Sequence, residues 1–339
     1  MLSTLECQEK EKNTERENRL YFIGIDIGGT KIAAVLTDIQ GTVFYRKKIL
    51  VNESSKRDLL NITYNLIREF IKVAQDNGKN IAAIGIAIAS VIDDDKSTLL
   101  YSPSYREWEG FNLKSAVSKE FNYLTVIEND LNAAAWGEKC KGNGKSFSSF
   151  VMMTIGTGVG GAYIYENKLH KNLTNSFYVG HVNLFPQNGL PCTCGMTGCL
   201  QTVISGTAIQ KKAKNMMKNG EYINFHHKNE LDLNDITAED VFKAASGGDR
   251  VAKKIVSEVA YYSGIAISNL IHLLGPQAII IGGGVAHAGE ILFNPIKEAV
   301  RNRLLYKKEY LCKILPASLG EDSSSIGISL MAIEEYRNS

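Results

Sequence analysis

Two stretches decide the fold: Tyr21-Phe-Ile-Gly-Ile-Asp-Ile-Gly-Gly-Thr-Lys-Ile-Ala-Ala-Val-Leu-Thr-Asp38 and Phe150-Val-Met-Met-Thr-Ile-Gly-Thr-Gly-Val-Gly-Gly-Ala-Tyr-Ile-Tyr165. Each is an apolar run, a glycine turn and a second apolar run. Apolar and β-branched residues broken by tight glycines predict two strands joined by a hairpin. The same pattern met twice in one chain predicts two related lobes, facing each other across a cleft.

Reading outward from the first stretch, Gln40-Gly41 turns the chain into a third strand over Thr42 to Ile49. Leu59, Leu60, Ile62, Leu66, Phe70, Ile71 and Val73 then recur at helical spacing and predict a helix over Arg57 to Gln75. Ile81 to Ala89 is a short continuous apolar run, the form of a buried parallel strand. A helix over Leu113 to Phe121, a strand over Leu124 to Glu128 and a helix over Leu131 to Glu138 complete an α/β layout. The second copy continues through a cysteine-bearing insertion near 177–201 and helices over Thr207 to Lys218, Ala238 to Ala245 and Val251 to Leu274. Thr237 and Asp240 form a capping-box pattern for the second of these. A strand over Ala278 to Ile281 and a helix over Ala288 to Val300 follow. The expected plan is a disordered tail over 1–20, an N-terminal lobe over 21–136 and a C-terminal lobe over 137–325. A last helix, 326–336, is expected to pack back on the first lobe.

A chain of 339 residues accommodates two such lobes but not three. Its 38 Lys+Arg against 36 Asp+Glu leave a net charge of +2, which argues against a polyanion partner and so against nucleic acid. Met1 to Arg19 is polar and charge-rich, neither signal peptide nor membrane span, and no later run is apolar enough to cross a bilayer. A cytoplasmic protein is expected, without a membrane partner. There thiols stay reduced: of six cysteines, Cys192, Cys194 and Cys199 crowd together while Cys7, Cys140 and Cys312 stand apart. With His181 the three supply one imidazole and three thiolates, a closed tetrahedral set for structural Zn²⁺. Small buried thiols beside an unrelated histidine would give the same spacing.

Three glycine turns can receive a nucleotide. In the first, Gly28, Gly29 and Thr30 offer backbone N–H groups and a hydroxyl, Lys31 follows, and Asp26 at the strand end can orient hydrated Mg²⁺. The stretch nearly matches a P-loop but runs into a strand, not a helix, so a phosphate-facing hairpin or a plain hairpin turn is the reading. The second, with Gly156, Thr157 and Gly158, joins strand to strand and fails the context of a dinucleotide fingerprint. The third, Gly282-Gly283-Gly284, ends a buried strand where a side-chain-free backbone lets a base or ribose lie close. Asn129 and Asp130 stand between a strand and a helix, placed either to enter a cleft or to cap the helix. Trp108 could stack on a sugar ring or pack on the lobe surface. His170 and His226-His227 fall in polar stretches and read as solvent-facing.

Asp26-Ile-Gly-Gly-Thr-Lys31, Glu128-Asn-Asp-Leu-Asn-Ala-Ala-Ala135, Gly156-Thr-Gly-Val-Gly-Gly161, Gly180-His181, Cys192-Thr-Cys-Gly-Met-Thr-Gly-Cys199 and Gly282-Gly-Gly-Val285 occur in this order over residues 21 to 335. Together they resemble the ROK family of repressors and sugar kinases. The resemblance implies the actin-like ATPase fold shared with hexokinases, two RNase-H-like lobes, ATP as phosphate donor, and a homodimer or higher homo-oligomer. It implies transfer of the γ-phosphate to a hydroxyl, the 6-OH, of a hexose or N-acetylhexosamine, with Asp130 as general base and Asn129 on sugar hydroxyls. His181 would both bind zinc and touch the sugar. Two positions at which the family's sugar kinases usually carry glutamate are Tyr178 and Gln201 here, and the asparagine expected after Pro103 is Ser104. Tyr and Gln make weaker, differently shaped hydrogen bonds to a sugar than a carboxylate does. A sugar-sensing protein with little kinase activity is therefore the alternative. The family's repressors carry a helix-turn-helix module of roughly 60 residues, and about 20 residues precede the first strand here, which disfavours DNA binding.

Overall fold

The computed structural model describes residues 17, 19–51, 56–102, 105–170, 177–225, 232–305 and 312–339. They form two compact units, one holding the chain up to Gly142 and Glu321–Ser339, the other Asn143–His170 and Phe177–Gly320.

The first unit begins as a meander of β1 (Leu20–Ile27), β2 (Lys31–Asp38) and β3 (Val43–Leu50). Helix α1 (Lys56–Asp76) leads to β4 (Asn80–Ile88), a small hairpin of β5 (Val91–Ile92) and β6 (Leu99–Tyr101), helix α2 (Leu113–Phe121), β7 (Leu124–Asn129) and helix α3 (Asp130–Lys141). The sheet order is β3-β2-β1-β4-β7, with β1 and β2 antiparallel and β1, β4 and β7 parallel. The second unit lays down β8 (Phe150–Ile155), β9 (Val159–Tyr165) and β10 (Lys168–Leu169). Helices α4 (Gln201–Ile204), α5 (Gly206–Lys218), α6 (Ala238–Ser246) and α7 (Arg250–Leu274) follow, then β11 (Ala278–Gly282), α8 (Glu290–Arg301) and β12 (Lys313–Pro316). Its sheet order is β10-β9-β8-β11-β12, again an antiparallel meander continued by parallel strands. The two sheets are the same arrangement built twice, and the repeat of strand, glycine turn and strand in the sequence is its signature.

Apolar patterning places each core. β1 and β2 are buried along most of their length, while β3 at the sheet edge alternates half-buried and exposed residues. Leu59, Leu66, Ile67, Phe70 and Ala74 bring one face of α1 onto this core beside Trp108, Leu113 and Ile127. Trp108 is fully buried in the core against Tyr105 and Phe111, so it neither faces a sugar nor packs on the lobe surface. In the second unit Ile255, Val256, Val259, Ile267 and Ile271 of α7 join Ile279 and Ile281 of β11. Thr237 and Asp240 make the capping box at the start of α6.

The last helix, α9 (Ser323–Asn338), belongs to the first unit and packs on α3, β1 and β4. Backbones meet there: a Cβ on Gly327 would stand 1.7 Å from the Ala133 carbonyl oxygen. Only a residue without a side chain fits such an approach.

The structure departs from the sequence expectations at element ends. α3 starts at Asp130 and runs to Lys141, because Asn129 supplies the cap. The helix expected from Ala288 is a 3₁₀ turn over Gly284–Ala288 followed by α8, the two separated by Gly289 in the left-handed region. The tail expected over 1–20 falls mostly outside the described residues, as do Ser104 and His226-His227; His170 is exposed. Among the described residues no helix is long and apolar enough to cross a membrane.

Candidate active site and metal cluster

In the first unit the carboxylates of Asp26 and Asp130 come together where β1 and β7 end. Asp26 is the next-to-last residue of β1 and Asp130 the first of α3. Burial raises Asp26 to about 8, the charge of Asp130 adding to the rise and Lys31 opposing it. Burial also raises Asp130 to about 6, although the backbone N–H groups of Leu131 and Asp130 itself pull the other way. One oxygen of Asp26, Oδ1, is buried with no hydrogen-bond partner. An orphaned carboxylate oxygen is costly in a protein interior unless a cation or proton meets it. This donor therefore fits a hydrated Mg²⁺.

Asn129 caps α3. Its Oδ1 accepts from the N–H groups of Leu131 at 3.0 Å and Asn132 at 3.3 Å, and its Nδ2 donates to the Ser90 carbonyl at 3.1 Å. Glu128, buried, braces this corner: Oε1 accepts from Asn129 N at 3.0 Å and Asn132 Nδ2 at 3.1 Å, while Oε2 pairs with Lys96. Sequence reasoning places Glu128 at the end of an apolar strand and at the head of the Glu128–Ala135 motif but gives it no role. Nothing local marked Lys96.

The first glycine turn is a tight hairpin in which Gly28 N donates to the Lys31 carbonyl at 3.0 Å. Gly29 and Thr30 are exposed. Lys31 Nζ donates to Glu321 Oε2 at 2.9 Å, and Lys48 binds the same oxygen at 3.0 Å. These two cations hold Glu321 down to about 2. Tyr105, another residue sequence reasoning did not single out, donates its hydroxyl to the Gly28 carbonyl at 2.6 Å.

The second and third turns lie side by side in the second unit. Gly282 pairs with Thr154 across β11 and β8, and a Cβ on Gly283, whose φ is +85°, would stand 2.4 Å from the Ile155 carbonyl oxygen. Gly284 opens the 3₁₀ turn that follows. Thr157 and Gly158 are exposed, and α5 fixes their turn from behind. Gly206 N donates to the Gly156 carbonyl at 2.7 Å and Thr207 Oγ1 to the Thr157 carbonyl at 2.9 Å. Thr154 Oγ1 is buried there with no partner.

His181, Cys192, Cys194 and Cys199 converge in the same unit, all four donor atoms lying within 4.8 Å of one another. His181 ends a 3₁₀ turn over Val179–His181, and the strand-like pairing of Asn183 with Cys199 draws the two ends of the loop together. Cys192 Sγ stands 3.7 Å from His181 Nδ1, and Cys194 Sγ stands 3.7 Å from Cys199 Sγ. Two thiolates about 2.3 Å from one tetrahedral Zn²⁺ would be about 3.8 Å apart, so the donor set fits that ion. Tyr178 is partly exposed with its ring 6.2 Å from that of His181. Gln201 is turned toward the cluster. Its Nε2 donates to Cys192 Sγ at 3.2 Å and to Thr193 Oγ1 at 3.3 Å, and its Oε1 accepts from Val159 N at 3.3 Å.

The model for the ROK family matches residues 22–335. A glucokinase of Halalkalibacterium halodurans is 33% identical over 316 residues, covering 91% of this chain and 93% of that protein. A xylose repressor of Caldicellulosiruptor bescii is 30% identical over 320 residues, covering 93% of this chain and 78% of the repressor. Among solved structures, a ROK family glucokinase from Streptomyces griseus in complex with glucose and AMPPNP matches with a TM-score of 0.80 at 31% identity, covering 93% of this chain and 99% of that one. The fold is the α/β, actin-like ATPase fold of the hexokinases, each unit carrying one copy of its sheet.

Proposed function

The chain belongs to the ROK family, and on that premise we propose that it is an ATP-dependent sugar kinase which transfers the γ-phosphate to a hydroxyl, the 6-OH, of a hexose or N-acetylhexosamine. The observation that carries the reading is Asp130, a recessed carboxylate raised to about 6 at the N-terminus of α3. A base must be ionised at neutral pH yet basic enough to take a proton from an alcohol as its oxygen attacks, and a value of about 6 serves both needs. The likeness to a glucokinase solved with glucose and AMPPNP supports the same donor and acceptor class here.

The other parts divide by chemistry. Gly28, Gly29, Thr30 and Lys31 in the first unit, and Gly156, Thr157, Gly158 and Gly282 to Gly284 in the second, are the proposed nucleotide contacts. Lys31 would exchange its bond to Glu321 for a phosphate oxygen. Asp26 would hold Mg²⁺ through its orphaned oxygen; the ion, when bound, neutralises charge on the phosphates. Asn129 keeps one amide hydrogen beyond its bond to Ser90 for a sugar hydroxyl. Ser104, Tyr178 and His181 are the further proposed sugar contacts. His181, Cys192, Cys194 and Cys199 would hold a structural Zn²⁺ that braces the loop carrying them.

A sugar-sensing role is favoured by two observations: both polar atoms of Gln201 are engaged within the protein, and a xylose repressor is nearly as similar as the glucokinase. A coupled ADP assay over hexoses, ketoses and N-acetylhexosamines separates the readings. Sugar-stimulated ADP release is expected, and ATP binding with no stimulation by any sugar would establish the sensor instead.

A further inference from the structure

We infer that Gln201 is a positioning residue whose carboxamide ties the Cys192 sulfur of the metal cluster to the main chain of the second glycine turn. The inference rests on the zinc reading given above and concerns what this chain has built around that site.

Gln201 opens α4, directly after the buried pair Cys199-Leu200. It reaches two places at once. Its Oε1 accepts from the N–H of Val159, the residue after Gly158, and its Nε2 points to Cys192 Sγ and Thr193 Oγ1. The orientation of the amide is fixed by its partners. A backbone N–H can only donate, so the atom facing Val159 must be the oxygen, which leaves the nitrogen facing sulfur. Gly158 leaves room for it: a Cβ there would stand 3.2 Å from Gln201 Oε1, close enough to crowd the amide.

Charge explains why an amide sits there. Three thiolates and a neutral imidazole around Zn²⁺ carry a net charge of about −1. An N–H donor pointed at one sulfur stabilises that charge, whereas a carboxylate at the same atoms would place a second anion against it and offer no hydrogen. Gln201 thus exchanges a side chain suited to gripping a sugar for one suited to bracing the cluster. Because its other end holds Val159, loss of metal or of the amide is transmitted to the turn that carries Thr157 and Gly158.

The test uses the full chain loaded with Zn²⁺ or with Co²⁺, comparing wild type with Gln201→Met, close in shape but without a donor, and Gln201→Glu, equal in length but anionic. An N–H donor lowers the energy of the sulfur lone pair, so the sulfur-to-cobalt charge-transfer band is expected to move to longer wavelength in both variants. Release of Zn²⁺ to a colorimetric chelator is expected to quicken on the order of 10-fold or more, with the greater effect in Gln201→Glu. If one variant does not fold, the other gives the same two readings. An unchanged band and release rate in a metal-loaded variant overturn the role of Gln201 while leaving the cluster standing. A folded wild type that takes up neither ion overturns the zinc reading itself, and the inference with it.

Discussion

Replacing Asp26 by asparagine is expected to stabilise the protein at neutral and alkaline pH while removing the proposed Mg²⁺ ligand. The carboxyl titrates at about 8 in the folded chain against 3.8 when free, through burial first and the nearby Asp130 second. Between these values the folded state binds the proton more tightly than the unfolded state does. Stability therefore falls as pH rises from about 4 to about 8, since each pKa unit is worth about 1.4 kcal/mol. From pH 5 to pH 8 the wild type should lose up to about 4 kcal/mol relative to Asp26→Asn, which has the same shape and no proton to lose. For a unit of this size that is on the order of 10 °C in Tm. Thermal unfolding of both proteins in metal-free buffer across pH 5 to 8 reads the difference directly, other titrating groups cancelling. Mg²⁺ is expected to narrow the gap by stabilising only the wild type. Parallel stability curves would show that burial does not hold Asp26 protonated, and would remove the reason for placing a cation there.

Three other outcomes follow from the packing and the electrostatics. With Asp130 raised to about 6, and with saturating Mg²⁺ keeping Asp26 ionised, kcat/KM should fall about tenfold per pH unit below that value and level off above it; a profile flat down to pH 4.5 would mean that some other group accepts the proton. Gly327→Ala drives a methyl group into the Ala133 carbonyl and should cost about 3 kcal/mol or more, measured by chemical unfolding, an effect absent if α9 simply shifts on the sheet. Trp108→Ala empties a fully buried site and should cost about 3–5 kcal/mol; a change under about 1 kcal/mol would be at odds with the packing of Tyr105 and Phe111 around it.

The lobes were legible in the sequence because the feature that makes them, strand, glycine turn and strand, is local and occurs twice. Long amphipathic helices such as α1 and α7 were legible for the same reason. The short strands β5, β6, β10 and β12 were not, since two to four residues carry no periodicity and owe their pairing to neighbours distant in sequence. The grouping of Cys192, Cys194 and Cys199 with His181 was visible because cysteine is scarce and three of the six crowd together. What the sequence could not show is where a side chain of several possible uses points. Gln201 reads as a sugar ligand by position and lies against Cys192 and Val159. Lys31 reads as a phosphate ligand and is paired with Glu321, nearly three hundred residues away in the chain. Asn129 reads both as helix cap and as sugar ligand; its Oδ1 makes the cap, while its Nδ2 keeps one hydrogen beyond the Ser90 bond for the proposed sugar contact.

Phosphorus NMR of the products formed from MgATP and a hexose, by wild type and by Asp130→Asn at equal nucleotide saturation, tests the central claim most directly. Wild type is expected to give a phosphomonoester signal split by the two protons of a primary carbon, and Asp130→Asn none although it still binds ATP. No sugar phosphate from the wild type, or equal amounts from both proteins, would contradict the assignment of a kinase with Asp130 as its base.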